Sequence, residues 1–412
     1  MTTRPGIEPT FADVDMLSDG RVADPFPFFA AARHDDPVHW SDRYRAWFLF
    51  RFDDVWESLR DPRFSSDRVR PIYETKLNDE QRRDRRPTFD ILQHWMVFND
   101  PPQHTRLRRL VSHAFTPRAV ERLRPRIEAL VDALIDGLLP QGRADLIRDF
   151  AYPIPAVIIA EMLGAPPEDR YRFKEWSDDI MTLVFGAEGV LGRRERAQDG
   201  LSQLADYLSS LVHRFRSDPA DNLITALVHA KENDDSLTDE EIVSTCTLLL
   251  FGGHETTTNL IGNGTLTLLR HPEQLAELIG DPTLLSSAVE ELLRFDGPSK
   301  MEVRRAAADI ELRDRTIHEG DQVYLVQSSA NRDDLEFPEP DRLDLRRQPN
   351  RHLGFGFGLH YCLGASIARL EASVAIDRVI RRLPRLSPAA EPEHWHPTLI
   401  SRGMSSFPVE FG

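Results

Sequence analysis

One long helical segment constrains the fold more than any other feature of this chain. It opens at Thr238, where the sequence Thr-Asp-Glu-Glu predicts a capping box, and it continues until Pro272 stops it. A helix of that length measures on the order of 45 to 50 Å, which is enough to cross a whole domain. Its middle, from Leu248 to Thr258, contains two adjacent glycines and three consecutive threonines. Because these residues weaken a helix, we expect the interruption to serve a function.

Shorter patterns along the rest of the chain favour helices over strands. Apolar residues recur at helical spacing from Ala119 to Leu139, and other segments repeat this pattern. Strand-like signals lie mainly at Val38–Trp40 with Arg45–Phe50, and between Ile310 and Val326. We therefore predict a mainly α fold with small β-sheets.

Length and charge limit the possible functions. The 412 residues carry a formal net charge of −16, so no general positive field is available to hold nucleic acid. No signal pattern and no run of 18 apolar residues occurs, and there are only two cysteines, which fits a reducing compartment. We expect a cytoplasmic monomer that does not bind membranes. No repeat or linker interrupts the sequence, which predicts one domain over residues 1–412, with residues 1–24 as a peripheral or poorly ordered segment.

The most informative short motif is Phe355–Gly364, whose sequence is FGFGLHYCLG. Closely spaced glycines allow tight turns and a close approach to a flat ligand, and they direct amide groups toward the Cys362 sulfur just before a helix. This setting favours a thiolate, which is the form that ligates metal. Taken alone, a cysteine beside such a turn is also consistent with a buried packing residue, which is our interpretation of Cys246.

Four motifs, in one order along the chain, resemble those of the cytochrome P-450 family, and of its bacterial soluble type in particular. The spacing Phe-Gly-x-Gly-x-His-x-Cys-x-Gly around Cys362 is similar to the family's haem-ligand loop. Glu291–Arg294 matches its ExxR motif, Gly252–Thr257 matches its central-helix signature, and Asp100–Arg109 resembles its haem-flanking helix start. The resemblance covers residues 25–412.

The resemblance implies the fold and the cofactor. In this family haem b lies between the long central helix and the cysteine loop with its following helix, and a thiolate on the iron favours O–O cleavage. The two haem propionates need cations around them, because unpaired buried carboxylates are costly. By resemblance, Cys362 binds the haem iron. The expected ligands of the propionates are His104, Arg108, Arg304 and His360. Other parts of the haem are expected to contact Phe355, Gly356, Gly364 and Gly253.

Proton delivery is assigned by resemblance to Thr256 and Glu255, which we expect to be catalytic. In a largely dry pocket a hydroxyl and a carboxylate deliver protons better than bulk water does. Thr256 is expected to order a water, and Glu255 to link it to the exterior. A threonine here can also donate to the carbonyl of Gly252, four residues earlier. Both interpretations hold if the helix is locally opened, as it is in the family.

The resemblance also assigns a structural role. Glu291 and Arg294 lie three residues apart on a helix, a spacing that alone usually means a modest surface pair. In the family this pair is buried with an arginine from a downstream loop, for which we expect Arg342. These three residues are predicted to support the cysteine loop rather than to take part in catalysis.

The segments that form the family's substrate pocket are mostly apolar here, which predicts a lipophilic organic substrate. Lys300 departs from this pattern, since the family usually has an apolar residue four positions before the arginine at 304. An inward, unpaired ammonium would suggest an acidic substrate such as a fatty or aromatic acid. Alternatively, Lys300 pairs with Glu302 or reaches solvent. The pocket candidates are Trp95, Met96, Val97, Val184, Leu249, Phe251, Gly252, Lys300, Met301 and Met404.

The expected reaction consumes two electrons, and the chain has no flavin-binding or iron–sulfur motif. We therefore expect a separate ferredoxin or flavodoxin with its NAD(P)H reductase. Between His104 and Arg118 there are four arginines and no acid. This segment is our candidate docking surface for an acidic partner, the alternative being an ordinary solvated helix face.

Together these features predict a haem-thiolate monooxygenase that inserts one oxygen atom from O2 into a lipophilic substrate, by hydroxylation or a related oxidation. Two other classes compete. A peroxide-driven peroxygenase of the same fold usually lacks the acid–threonine pair that Glu255 and Thr256 supply. A haem-binding sensor would not need that pair and would be expected to carry an output domain, for which no length is left over.

Overall fold

Helices account for most of the secondary structure. The computed structural model describes residues 14–112, 115–169, 172–173, 175–176, 180, 193–232, 235–392 and 394–412. The helices are α1 Asp19–Ala23, α2 Phe26–Asp35, α3 Phe52–Ser58, α4 Val69–Thr75, α5 Asp79–Leu92, α6 Gln103–Ser112, α7 Pro117–Glu121, α8 Arg124–Leu138, α9 Pro153–Leu163, α10 Arg193–Ser217, α11 Leu223–Val228, α12 Asp239–Arg270, α13 Pro272–Gly280, α14 Leu285–Asp296, α15 Gln327–Ala330 and α16 Ala365–Arg382.

The long helix predicted from the sequence is α12. The Glu241 amide donates to Thr238 Oγ1 at 3.2 Å and the Thr238 amide donates to Glu241 Oε2 at 3.0 Å, which completes the predicted capping box. The helix has 32 residues, or about 48 Å, and α13 begins at Pro272 directly after it. Both predicted ends of the helix are therefore confirmed.

The strands form small sheets, as predicted. Five strands lie in the order β1-β2-β10-β7-β3, with β10 parallel to β2 and the other pairs antiparallel. The remaining sheets are β11-β12-β4, β5-β6 and β8-β9. The strands are β1 Val38–Ser41, β2 Ala46–Leu49, β3 Phe64–Ser65, β4 Arg143–Asp145, β5 Lys231–Glu232, β6 Asp235–Ser236, β7 Glu302–Ala306, β8 Ile310–Leu312, β9 Arg315–Ile317, β10 Gln322–Leu325, β11 Ser387–Pro388 and β12 Pro408–Glu410.

The chain groups into two compact units. Unit 1 comprises Met1–Ser66, Arg270–Cys362 and Pro392–Ser405, and unit 2 comprises Asp67–Leu269, Leu363–Glu391 and Ser406–Gly412. The single domain over 1–412 stays a prediction, as does the peripheral character of residues 1–24, of which Met16 and Val22 are buried.

Unit 1 is built on the five-stranded sheet. Because side chains alternate across a strand, neighbouring residues of β2 enter two different apolar cores. Trp47 and Leu49 pack in one core with Val323, whereas Ala46 and Phe48 pack in the other. Both faces of the sheet are thus covered, which holds β7 and its neighbours in a fixed register.

Unit 2 is largely helical. Its core takes apolar side chains from α6, α9, α10 and α12, among them Leu107, Leu163, Leu208 and Ile242, all of them fully buried. The apolar stripe predicted over residues 119–139 is divided between α7 and α8. Pro125 stands in the first turn of α8, where its missing amide hydrogen is tolerated, so a new helix starts there. Within the described ranges, no helix combines the length and apolar character needed to cross a membrane.

Candidate functional site

Cys362 closes a glycine-rich loop of unit 1. Gly356 and Gly358 have positive φ angles of 68° and 71°, which side chains disfavour. A Cβ on Gly356 would lie 2.5 Å from Glu302 Oε1, so the backbone approaches this carboxylate as closely as only glycine allows. The Cys362 amide donates to the Phe355 carbonyl at 2.9 Å, and the residue stays partly exposed. The loop therefore fixes the cysteine without burying it.

The same loop is anchored by a histidine and by aromatic contacts. His360 Nε2 lies 3.0 Å from Ser66 Oγ, and the Phe357 ring stacks on Trp56 with centroids 3.7 Å apart. Gly364 caps the start of α16 two residues after the cysteine. The predicted haem ligands Cys362 and His360 thus sit on one constrained segment.

Arg304 lies on β7 opposite Val323 and is buried. Its guanidinium donates to the Val303 carbonyl at 3.0 Å and to Glu302 Oε2 at 2.6 Å. The other oxygen of Glu302 accepts from Gln327 Nε2 at 2.9 Å. Because Glu302 Oε1 also borders Gly356, this carboxylate connects the predicted propionate ligand to the cysteine loop.

Glu291 and Arg294 form a fully buried pair on α14, as the resemblance implied. Two guanidinium nitrogens of Arg294 donate to the two carboxylate oxygens, both at 2.8 Å. Glu291 also accepts from the Asp344 amide at 3.0 Å and from Asn350 Nδ2 at 3.2 Å. A carboxylate with this many donors is compensated for its burial.

The third member of this cluster is not the predicted one. Arg342 points its side chain to Glu339 at the surface, where both groups are mostly exposed, and it contributes only its carbonyl oxygen to Arg294 at 3.2 Å. Arg347 Nε instead bonds Glu291 at 3.2 Å. The prediction for Arg342 was wrong because two arginines five residues apart on one loop both satisfy the sequence pattern, and only the loop's path selects between them.

The glycines and threonines of α12 lie in one continuous helix. Thr256 Oγ1 donates to the Gly252 carbonyl at 3.1 Å, which is the alternative bond that the sequence left open. The local opening implied by the resemblance is absent from this described helix, which is α-helical from Asp239 to Arg270. A Cβ on Gly253 would lie 3.8 Å from Ile159, so this glycine sits at ordinary packing distance from α9.

One side of α12 is open around Gly252 and Thr256. Thr256 and Gly252 are exposed, and a Cβ built on Gly252 meets no atom within 4 Å. The flanking residues Phe251 and Thr257 are buried, and Glu255 is partly buried. A flat ligand can therefore lie directly against the glycine and the threonine hydroxyl.

On α6, His104 is buried and Arg108 is partly buried one turn later. The arginines beside them are paired with acids that the local sequence did not reveal. Arg106 bonds Asp235 at 2.9 Å and Glu241 at 2.6 Å. Arg109 also reaches Asp235, at 3.5 Å. The positive segment predicted between His104 and Arg118 is thus partly neutralised by residues about 130 positions later.

Most of the predicted pocket residues are packed in cores. Trp95 is fully buried, donates from Nε1 to Thr247 Oγ1 at 2.9 Å, and lies against Phe251. Met96, Met301 and Met404 are buried, Leu249 is partly buried and Val97 is 42% exposed. Val184 lies outside the described residues. Their role in binding substrate stays a prediction.

Lys300 and Cys246 are both buried, with different consequences. Burial raises the pKa of the Cys246 thiol to about 12, which agrees with its interpretation as a packing residue. Lys300 is 3% exposed and does not pair with Glu302, whose oxygens are held by Arg304 and Gln327. The interpretation that Lys300 pairs with Glu302 is therefore wrong, and burial leaves its side chain little access to solvent.

The residues present fit a haem. Unit 1 offers a partly exposed thiol with a buried arginine and a histidine, which suit an iron ligand and carboxylate partners. Unit 2 offers the open glycine–threonine side of α12 with a second histidine and arginine on α6. Sequence reasoning missed Arg347 and Asn350, and it considered Glu302 only as a partner of Lys300, not of Arg304. The alternation of Lys300, Glu302 and Arg304 was the one signal that could have indicated a charged row.

Comparisons with known proteins identify the family of this chain. The family described as cytochrome P-450 matches residues 64–398. Cytochrome P-450 107B1 of Saccharopolyspora erythraea is 42% identical, over 96% of this chain and 100% of the relative. The structure of P-450BioI in complex with acyl carrier protein ligated to hexadec-9Z-enoic acid has a TM-score of 0.89 at 35% identity, covering 96% and 99% of the two chains. That of myxobacterial CYP267B1 with myristic acid has 0.87 at 41% identity, covering 96% and 98%.

Proposed function

Because this chain belongs to the cytochrome P-450 family, we propose a role for each residue of the candidate site in the family's haem-dependent reaction. Family membership confirms the predicted fold, the haem cofactor and the monooxygenase activity on a lipophilic organic substrate. The residue assignments, the electron donor and the finer substrate class are the proposal.

Cys362 is the thiolate ligand of the haem iron. The observation that carries this assignment is the loop itself, in which two glycines with positive φ place the cysteine, partly exposed, just before α16. Amide groups around such a turn stabilise the thiolate. When bound, a thiolate-ligated haem activates dioxygen for insertion into the substrate. Cys246 is excluded as the ligand because it is buried in an apolar core.

Thr256 and Glu255 deliver protons. The Thr256 hydroxyl is exposed on the open side of α12 and currently donates to the Gly252 carbonyl. A rotation about χ1 exchanges that acceptor for a water or an oxygen of the substrate complex, and the helix keeps its backbone bonds. Glu255 is partly buried beside it and supplies the exchangeable proton.

Arg304, His360, His104 and Arg108 bind the haem propionates. Arg304 is already oriented by Glu302, and His360 by Ser66, so neither side chain has to be ordered when the cofactor binds. The chemistry supports this, since carboxylates placed in a dry site need charged hydrogen-bond donors.

A ferredoxin or flavodoxin supplies the electrons, docking on the positive segment of α6 and α7. Arg106 is neutralised by its acids and Arg109 also reaches Asp235, so the exposed Arg118 is expected to carry most of the attraction. We expect Arg118→Glu to slow reduction severalfold at low salt and less at high salt. Arg385→Glu, at another exposed arginine, is the control. Equal reduction rates in Arg118→Glu and Arg385→Glu would contradict docking on this segment.

The substrate class we propose is a long-chain fatty acid or a similar lipophilic acid. Two relatives named above were solved with such chains, one as a free acid and one on a carrier protein. Lys300 favours the acid, as developed below. We further propose that the enzyme acts as a monomer in the cytoplasm, which agrees with two free thiols and no disulfide in the described chain.

The decisive experiment is the spectrum of the carbon monoxide complex of the dithionite-reduced protein. The parent and Cys246→Ala should both show the strongly red-shifted Soret band of thiolate ligation, and Cys362→Ser should lose it. A parent with an ordinary histidine-type spectrum, or a Cys362→Ser variant that keeps the red-shifted band, would overturn the assignment.

A further inference from the structure

Lys300 is a buried basic residue, and among the described residues no free anion lies beside it. It lies just before β7, where its amide donates to the Ile400 carbonyl at 2.7 Å and its carbonyl accepts from the Ser328 amide at 3.1 Å. The residue is 3% exposed. Within the described ranges its ammonium has no hydrogen bond and no ion pair.

The acids on the neighbouring elements are already occupied. On β7, Glu302 is held by Arg304 and Gln327. At the end of α14, Asp296 is bonded by Arg402, whose Nε lies 2.5 Å from Asp296 Oδ1. The segment after α14 therefore has no spare carboxylate for Lys300.

The charge that does act on Lys300 is a like charge. Burial, together with the smaller effect of the nearby Arg402 guanidinium, lowers the pKa of its ammonium to about 7. A cation in this setting is unfavourable in the protein alone, because burial removes most of its hydration and no anion of the described residues compensates it. Such a group gains the most when an anion arrives.

We propose that Lys300 binds the free carboxylate of a lipophilic acid substrate, which makes the enzyme selective for the acid over its ester or thioester. This assignment rests on the proposed monooxygenase function and specifies its substrate. A carboxylate offers two acceptor oxygens and one negative charge, which is what the ammonium lacks. An ester or thioester of the same chain offers only a neutral carbonyl.

The proposal couples binding to proton uptake. At pH 8 the Lys300 amine is mostly neutral in the empty protein, so binding the carboxylate takes up close to one proton per ligand, about 0.9 for a pKa of 7. Above that pH the affinity for the acid falls by up to about tenfold per pH unit. The affinity for an ester stays constant over the same range.

The test compares myristic acid with methyl myristate on the haem-loaded protein. Binding is measured calorimetrically at pH 8 in two buffers of different ionisation enthalpy, with Lys300→Met and with Lys231→Met as an exposed-lysine control. We expect the wild type and Lys231→Met to prefer the acid by about tenfold or more and to take up a proton. Lys300→Met should bind acid and ester equally without proton uptake.

Three results would overturn the proposal: equal binding of acid and ester by the wild type, binding of neither, or an acid preference that survives in Lys300→Met. Lys300→Gln provides a second neutral side chain if the methionine variant loses its haem. Calorimetry does not depend on the carbon monoxide spectrum, so failure of thiolate ligation and failure of acid recognition are read separately.

Discussion

Two buried charged regions of unit 1 differ in how their charge is compensated. Around Glu291 every oxygen is bonded, by Arg294 and Arg347, by the Asp344 amide and by Asn350. Around Lys300 the described chain supplies no anion at all. Both groups are nearly inaccessible to solvent.

This difference in compensation distinguishes a buried charge that supports the fold from one that binds a ligand. A buried charge with a complete set of partners stabilises the loops that contact it. Removing one partner leaves the remaining charges buried without compensation, which is strongly destabilising. A buried charge without partners destabilises the empty protein and stabilises a complex. Glu291 belongs to the first kind and Lys300 to the second.

The largest effect is expected when the complete cluster is broken. Glu291→Gln leaves Arg294 and Arg347 buried without a counter-charge, so we expect a loss of about 3 to 5 kcal/mol in the free energy of unfolding and poor haem retention. Denaturant titration of the haem-loaded protein measures the loss. Glu339→Gln removes the exposed partner of Arg342 and should change stability by less than about 0.5 kcal/mol.

The same experiment checks the corrected member of the cluster. Arg347→Gln should destabilise strongly and Arg342→Gln hardly at all, since only the first side chain bonds Glu291. Equal losses from the two substitutions would restore Arg342 to the cluster.

The sequence predicted interactions between residues that are close along the chain better than interactions between distant residues. The capping box at Thr238, the pair Glu291–Arg294 and the cysteine loop depend on residues close in sequence, and they were found. Partners that the fold brings from a distance were missed. Asp235 and Glu241 come from about 130 residues beyond Arg106, and nothing in the local pattern of α6 indicates them.

The pocket was harder to predict than the cofactor site for a related reason. A large apolar residue has the same pattern whether it faces a core or a ligand, and Trp95 proved to be fully buried against Phe251. Lys300 could be singled out because a charge among apolar residues has no ordinary core role. Its lack of a partner, however, required the positions of Glu302 and Asp296.

Lys300 imposes a pH dependence on the stability of the empty protein. Its folded pKa of about 7 lies below the ordinary value of 10.5, so between these values the unfolded chain binds the extra proton. The penalty is absent above pH 10.5, grows as the pH falls, and is complete below pH 7. We expect Lys300→Met to raise the free energy of unfolding by up to about 4 kcal/mol at pH 6 and by little at pH 10.5. A gain independent of pH would contradict this.

In unit 2, Glu371 gives the stability a pH dependence of the opposite sign. This carboxyl on α16 is fully buried, and burial raises its pKa from 4.5 to about 8. The folded protein holds its proton between those values while the unfolded chain releases it, so stability falls as the pH rises from 4.5 to 8. Glu371→Gln should therefore gain about 3 kcal/mol at pH 7 and nothing at pH 4. Denaturant titrations at the two pH values measure the difference, and a loss at pH 7 would show that the ionised carboxylate has a partner.

The smallest expected effect is at Trp95, a buried polar group with its partner in place. Trp95→Phe removes the donor to Thr247 Oγ1, and we expect a loss of about 1 to 2 kcal/mol in stability. If Trp95 only packs in the core of unit 2, the dissociation constant for substrate should change by less than about twofold, whereas loss of a pocket contact should change it by more. Thr247→Val completes a double-mutant cycle, in which a coupling energy near 1 kcal/mol is expected for one buried hydrogen bond. A large change in substrate affinity with little change in stability would instead place Trp95 in the pocket. A polar group with its partner in place would then also bind substrate, and the distinction drawn between Glu291 and Lys300 would not hold in unit 2.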